Sequence, residues 1–399
     1  MTGSAFPAGA AAPEALRALR RPLPPPRRAR APRFCIVGAG HGGLAMAAHL
    51  AARGFDTRLY NRSPARLEAL RRTGGVWLHG RWSGDGAPRS AFAALRAVQD
   101  NLEEALKGTD IVMVVVPAAA HAELARGMAA HLQDGQIVVL NPGRTGGALE
   151  FTQVLAAAGC RAAVTVAEAA TLLYACRATG PAEATVFSVK RSVPLAALPA
   201  ARTAWVLERL RAAFPQFTAA PDVLATGFDN LGAVFHPAPF LFNLGRAESG
   251  EAFEHYRGGI TPSVARVLEA LDAERLAVAR AWGAAVPSAL EWLERSYGVR
   301  AGRLLDAIRA TLAYAGILAP STADSRYLTE DVPTGLVPIS EFGRAAGVPT
   351  PTVDAVIALA SAAAGVDYRA RGRTLSRLGL AGRSVAEIRR YVKEGSGSA

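Results

Sequence analysis

The sequence predicts an α/β doubly wound sheet followed by an all-α C-terminal domain. Three observations carry that prediction. Short, wholly apolar runs alternate with helical patterns through the first half of the chain. A glycine-rich turn, GAGHGG, joins the first such run to the first helix. From about residue 201 the strand signals give way to helices. Strands alternating with helices make βαβ units, because a parallel neighbour can be reached only by a crossover.

Taken in order, RFCIV is a buried strand, and the Ala/Leu-rich helix after the glycines ends near Gly54. DTRLYNRS is a second strand. SPARLEALRRTGG is a helix with Ser63 as N-cap and Pro64 at its first position, where a missing N–H costs nothing. DIVMVVVP (110–117) and QIVVLNPG (136–143) are fully apolar strands separated by the helix AHAELARGMAAHL, and AVTVAEA and ATVFSVKR are two further candidates. Helical patterns then cover 201–213, 225–245, 261–282, 284–296, 301–315, 340–346, 351–364 and 384–393. The expected division is a disordered basic leader over 1–32, a Rossmann-type domain over 33–200, an all-helical domain over 201–390 and a flexible tail over 391–399.

The 399 residues carry a formal net charge of +12, which invites a nucleic-acid reading. The charge sits at the ends. Residues 1–33 and 368–399 contribute +6 each, and the 334 residues between hold 30 basic and 30 acidic side chains. A neutral body without a helix-turn-helix or zinc pattern gives a nucleic-acid role little support. No run approaches the roughly 18 apolar residues of a membrane span. Three widely spaced cysteines, Cys35, Cys160 and Cys176, suit a reducing, cytoplasmic setting and no metal site. The leader is Pro/Ala/Arg-rich and cannot bury enough apolar surface to fold alone.

Gly38-Ala-Gly40-His41-Gly-Gly43 matches GxGxxG between a strand and a helix, the context in which the motif cradles a dinucleotide pyrophosphate. The first glycine permits the turn, the second the approach of phosphate, and the third close helix packing. An acid about 20 residues on would select NAD through the ribose 2′-hydroxyl. Here the second strand ends in Asn61-Arg62-Ser63, and Arg62 can grip a 2′-phosphate that a carboxylate would repel. NADP(H) is therefore expected in preference to NAD(H). Ligands of doubly wound sheets gather beyond the carboxyl ends of the strands, so Pro117 and the Asn141-Pro-Gly143-Arg-Thr-Gly-Gly147 loop should line the cofactor cleft.

A dehydrogenase needs a proton donor beside the nicotinamide, and histidine suits neutral pH. Of the seven histidines, His236 stands apart. It lies in the apolar stretch FDNLGAVFHPAPFLFNLG with Asp229, Asn230 and Asn243.

At this point the chain resembles a family. The GAGHGG and NPGRTGG loops, TLLYACR (171–177), DNLGAVFHPAPFLFN, YRGGITPSVARVLEALDAERLAVARAWG (256–283) and RYLTEDVPTGLVPISEFGRAAGVPTP (326–351) are similar to the opine dehydrogenases of the octopine/nopaline type. The likeness runs from about Arg33 to about residue 365. It implies NAD(P)H-dependent condensation of an amino acid with a 2-oxo acid to an N-(carboxyalkyl) amino acid. It also implies a His–Asp dyad, His236 with Asp331, the runner-up for the acid being Asp272. Asp331 would hold the second ring nitrogen of His236, aimed inward by a turn at Pro333. Substrate carboxylates call for Arg177 or Arg326, and Tyr174, Asn230 and Asn243 are candidate neutral partners. A homodimer is compatible with the helical domain.

Two other classes compete. Ketopantoate reductases, glycerol-3-phosphate dehydrogenases and their relatives share the architecture but rely on a lysine in the helical domain. The lysines here are Lys107, Lys190 and Lys393, none in the helical segment facing the cleft. A non-catalytic NADP-binding sensor would keep the glycine loop and lose the dyad, whereas His236 and Asp331 are both present.

Overall fold

The structure is a computed structural model that describes residues 30–83 and 86–395. The leader expected over 1–32 therefore lies, but for its last three residues, outside the described residues. Twelve strands are described: β1 Phe34–Val37, β2 Thr57–Tyr60, β3 Gly75–Gly80, β4 Arg89–Ala94, β5 Ala97–Gln99, β6 Ile111–Val114, β7 Ile137–Leu140, β8 Thr165–Ala169, β9 Tyr174–Gly180, β10 Glu183–Val189, β11 Val193–Leu198 and β12 Phe217–Ala219.

Eight of them form one sheet in the order β12-β11-β8-β7-β6-β1-β2-β5. β5, β2, β1, β6, β7 and β8 run parallel, in the doubly wound order expected. The sheet is nonetheless mixed, because β11 runs antiparallel to β8. The reason is the connection. Between β8 and β11 the chain forms the antiparallel pair β9–β10 and not a crossover helix, so it returns to the sheet reversed. The expected boundary at residue 200 also falls short, since β12 pairs with β11 beyond the helix Thr203–Leu210.

The pair β9–β10 joins the hairpin β3–β4 in a second, four-stranded sheet, order β4-β3-β10-β9. The helix His41–Ala52 packs against this sheet as well as against the first, and from Gly43 to Leu50 it is buried on every side. That explains its composition: a helix without a water-facing side has no use for an amphipathic stripe, and alanine lets two sheets approach it.

The central strands of the large sheet divide their side chains between two cores. Cys35, Val37, Val112 and Val114 belong to a core that continues into the helical domain, and Phe34, Ile36, Ile111 and Met113 to a separate core on the other face. The period-2 alternation of strands thus separates two apolar cores, one of which runs on through the sheet domain's own helices into the helical domain. The long helix Pro262–Ala281 and the helix Pro351–Ala364 pack together within it.

Of the tail expected over 391–399, residues 396–399 lie outside the described residues, and the part before them is helical. Helix Val385–Glu394 opens with a capping box between Ser384 and Glu387 and buries Ile388 and Val392, so residues 391–394 complete a helix. Upstream, Arg373 is 1% exposed. It donates to Glu150, to the carbonyls of Gly143 and Thr145 and to Ala118, while its own backbone N–H donates to Pro333. Part of the C-terminal positive charge is therefore internal, fastening the sheet domain to the helical one.

Candidate active site

A cleft of about 1210 Å³ runs from the glycine loop of the sheet domain to the helices that carry His236. At one end the three motif glycines divide their work. A Cβ on Gly38 would meet Val115 O at 2.4 Å, and one on Gly43 would meet Gly38 O at 1.8 Å. These two let strand, turn and helix close-pack. A Cβ on Gly40 would meet nothing within 4 Å, so that position keeps backbone open to the cleft. Helix His41–Ala52 starts there with no side-chain cap and no acid in its first turn, which leaves N–H groups and a partial positive charge for a pyrophosphate.

Asn61, Arg62 and Ser63 line the same end, with Pro117 and Asn141. Asn61 Oδ1 accepts from Ala39 N–H at 3.2 Å and stiffens the loop. Arg62 is exposed and paired with Glu123 at 2.8 Å, a partner on a neighbouring helix that sequence spacing does not reveal. His41 lines the cleft with its Nδ1 taken by Ala178 N–H. Gly143 and Gly43 are not cleft residues. Gly143 is packed on Glu168, whose Oε2 lies 2.3 Å from where a Cβ would stand.

At the other end His236 and Asp331 meet although 95 residues separate them. His236 Nδ1 lies 2.8 Å from Asp331 Oδ2, and Nε2 lies 3.1 Å from the Tyr256 hydroxyl. The Tyr327 ring stacks on the imidazole at 4.4 Å, so both ring nitrogens and one ring face are fixed. His236 falls between two short helices, Gly232–Phe235 and Pro237–Leu241, where Pro237 starts the second helix at the position that tolerates it. Asp331 is reached differently from the turn expected at Pro333. It opens a π-helical segment, Val332–Leu336, that runs into the helix Val337–Ala345. Pro333 sits in its first turn, so the missing N–H interrupts nothing, and π segments are frequent at functional sites.

Asp331 is fully buried. Burial alone would raise its pKa, but the charges of Arg144 and His236, with the His236 hydrogen bond, outweigh it and hold the carboxyl below its usual range. Arg144 is the partner that residue types alone did not single out. It lies in the NPGRTGG loop with φ 61°, the non-glycine left-handed residue among those described, a conformation that costs energy and marks functional loops. Its guanidinium stands 3.6 Å from Asp331 and 3.4 Å from Glu330 and donates to Asn230 Oδ1 at 3.1 Å. Gly232 makes room for this: a Cβ there would meet Arg144 Nη1 at 2.5 Å and Asp331 Oδ1 at 2.7 Å.

The remaining substrate candidates divide. Arg326 and Asn230 line the cleft. Arg177 does not: on β9 Cys176 faces the cleft, and the period of two turns Arg177 to the exposed side. Tyr174 reaches the cleft wall, but its hydroxyl is held by His49 Nδ1 at 2.7 Å. Asn243 lies off the cleft; its amide donates to the carbonyls of Pro239 and Gly259 and accepts from Arg246. Asp272 is bonded to Arg275 and to Ala289 N–H and does not touch His236. Among residues not predicted, Tyr256, Glu330, Lys190 and Asp229 line the cleft, with an aromatic wall of Phe235, Trp292, Tyr297 and Tyr314.

A dinucleotide cradle facing a buried His–Asp pair across a domain cleft defines an NAD(P)-dependent dehydrogenase. Two family models match: the NAD binding domain of 6-phosphogluconate dehydrogenase over residues 33–170, and the α-helical domain of NAD/NADP octopine/nopaline dehydrogenase over 219–364. An opine dehydrogenase of Arthrobacter sp. (strain 1C) is 41% identical over 360 residues, 90% of this chain and 98% of that one. An octopine dehydrogenase of Mizuhopecten yessoensis is 26% identical, over 90% and 94%. A solved octopine dehydrogenase with NADH and L-arginine superposes with a TM-score of 0.75 at 24% identity, over 92% of this chain and 99% of that one. The chain belongs to the opine dehydrogenase family and is an NAD(P)-binding oxidoreductase acting on CH–NH groups.

Proposed function

We propose that this protein reductively condenses the amino group of an amino acid with a 2-oxo acid to an N-(carboxyalkyl) amino acid, and runs the reverse oxidation, with NADP(H) preferred. The observation that carries this reading is the His236–Asp331 contact across from the glycine loop. With its pyrophosphate on the Gly40 cradle, a bound NAD(P)H would supply the hydride that reduces the imine carbon.

The protein's own groups do the rest. Asp331 accepts from Nδ1 of His236, which fixes the ring and leaves Nε2 to exchange a proton with the carbonyl or carbinolamine oxygen. The Tyr256 hydroxyl now beside Nε2 marks where that oxygen is received. Arg144 offsets the charges of Asp331 and Glu330, so the buried acids do not repel an anionic substrate. Arg326, at the cleft and close enough to bias Asp331 and Tyr256, is placed for the carboxylate of the 2-oxo acid. The NADP(H) preference rests on Arg62 and on the absence of an acid at Asn61–Ser63.

The test is to follow NADPH and NADH oxidation with a panel of 2-oxo acids, with and without amino acids. Oxidation only when both are present is expected, faster with NADPH. Turnover with the oxo acid alone would favour a simple ketoreductase. One observation speaks for that second reading: Lys190 does reach the cleft, although from the sheet domain.

A further inference from the structure

Two opposite charges in the cleft wall have no task in the chemistry above. Lys190 follows β10, and its ammonium donates to Thr171 Oγ1 at 2.7 Å and to the Leu172 carbonyl at 3.0 Å. Both acceptors are neutral, and an ammonium has three donors. Asp229 ends the helix Val223–Phe228 on the opposing domain. One of its oxygens is buried and accepts no hydrogen bond. Among the described residues the two form no ion pair, yet each feels the other's charge. Burial, aided by Arg144, holds Lys190 down to about 8. Burial pushes Asp229 up to about 6 against the pull of Arg275, Arg295 and Lys190. Charges withdrawn from water are costly unless something pairs with them, and a ligand can do so.

The charges at the chemistry end match the two substrates. Glu330 and Asp331 are engaged by Arg144 and His236. That leaves Lys190 and Arg326 as cations and Asp229 as the carboxylate without an ion-pair partner among the described cleft residues. A 2-oxo acid brings one carboxylate. An amino acid brings a carboxylate and an ammonium on one carbon, and so calls for a cation and an anion side by side. The oxo acid must put its carbonyl oxygen on His236, so its carboxylate falls to Arg326 beside the dyad. We infer that Lys190 and Asp229 together receive the amino-acid zwitterion, Lys190 its α-carboxylate and Asp229 its α-ammonium. The inference rests on the reaction proposed above.

The experiment uses an accepted amino acid and its α-carboxamide, which keeps the ammonium and side chain but lacks the carboxylate. Wild type should prefer the acid strongly. Lys190→Met should raise KM for the acid about 10- to 100-fold, the range of a charged hydrogen bond, leave KM for the amide, the 2-oxo acid and NAD(P)H unchanged, and so abolish the preference. Lys190→Arg should restore part of it. Asp229→Asn should raise KM for acid and amide alike. Should Lys190→Met fail to fold by circular dichroism, Lys190→Gln, which keeps a donor for Thr171 and Leu172, carries the same readout. A Lys190 loss that falls equally on acid and amide, or on KM for the cofactor, overturns the assignment. Failure of the reaction itself is visible earlier, as wild-type turnover that does not need the amino acid.

Discussion

Asp331 and Asp272 are the same residue type, both buried and both beside an arginine, and their surroundings give them different work. Asp272 Oδ1 accepts from Arg275 at 2.9 and 2.6 Å, and Oδ2 accepts from Ala289 N–H at 2.7 Å. Arg275 spends its remaining donors on the carbonyls of Phe228 and Pro287. The cluster is closed; it ties the helix Pro262–Ala281 to the start of the helix Ala289–Tyr297. Asp331 holds His236 with one oxygen, while the other takes no hydrogen bond and faces Arg144 at 3.6 Å. That cluster opens onto the cleft through His236, Arg144 and Glu330. Burial and charge do not separate Asp272 from Asp331, the acid proposed to work with His236. What separates them is whether the fold uses up every donor and acceptor.

The strongest way to break this contrast is to remove one member of each cluster. His236→Ala should lower kcat by about 10²- to 10⁴-fold, the usual worth of a positioned acid/base, with the thermal midpoint little changed; a kcat near wild type would remove the dyad from the mechanism. Asp272→Asn should do the reverse. Leaving Arg275 buried without its counter-charge should cost about 3–5 kcal/mol in urea unfolding, with kcat unchanged under conditions where the variant stays folded.

Glu168 sharpens the contrast through pH. It is fully buried at the domain junction, accepting from Ala148 N–H at 2.6 Å and the Thr226 hydroxyl at 2.7 Å. Burial pushes it up to about 7 from an ordinary 4.5. The folded state then keeps a proton that the unfolded chain releases, so this group's contribution to stability is fully present below 4.5, is lost as pH rises toward 7, and is absent above. The loss is about 3 kcal/mol. Between about pH 5 and about pH 8 the urea midpoint of Glu168→Gln should fall less, or rise more, than that of wild type; identical pH profiles would mean that Glu168 does not titrate in this range.

The same contrast explains what the sequence disclosed. The glycine motif and the strands β1, β2, β6 and β7 were legible, and so was the meeting of His236 with Asp331. The motif and the strands rest on local periodicity and turn chemistry, and the pairing of His236 with Asp331 on segments that resemble a family. The second sheet was legible only as the isolated strand β10, because β3, β4 and β9 are half-exposed and the sheet is assembled by the pairing of β3 with β10 across more than a hundred residues. Arg144 was hidden for a related reason: its role depends on a left-handed backbone and on a gap left by Gly232. Arg177 was misplaced because a strand's period of two sends neighbours to opposite faces, and the register was unknown.

At the exposed extreme lies Arg62, 73% exposed and paired with Glu123, itself 67% exposed. If Arg62 grips a 2′-phosphate, Arg62→Ala should raise KM for NADPH about 10- to 100-fold, as for loss of a charged hydrogen bond, and leave NADH alone. Glu123→Gln is the finer test. To reach a phosphate, Arg62 must give up a carboxylate that would itself repel that phosphate. An exposed pair is worth only about 0.2–1 kcal/mol, so freeing Arg62 should lower KM for NADPH by no more than about fivefold, with NADH unmoved. A rise in KM for NADPH would mean that Glu123 holds Arg62 in its binding position, which would place this pair with the closed cluster of Asp272 and Arg275.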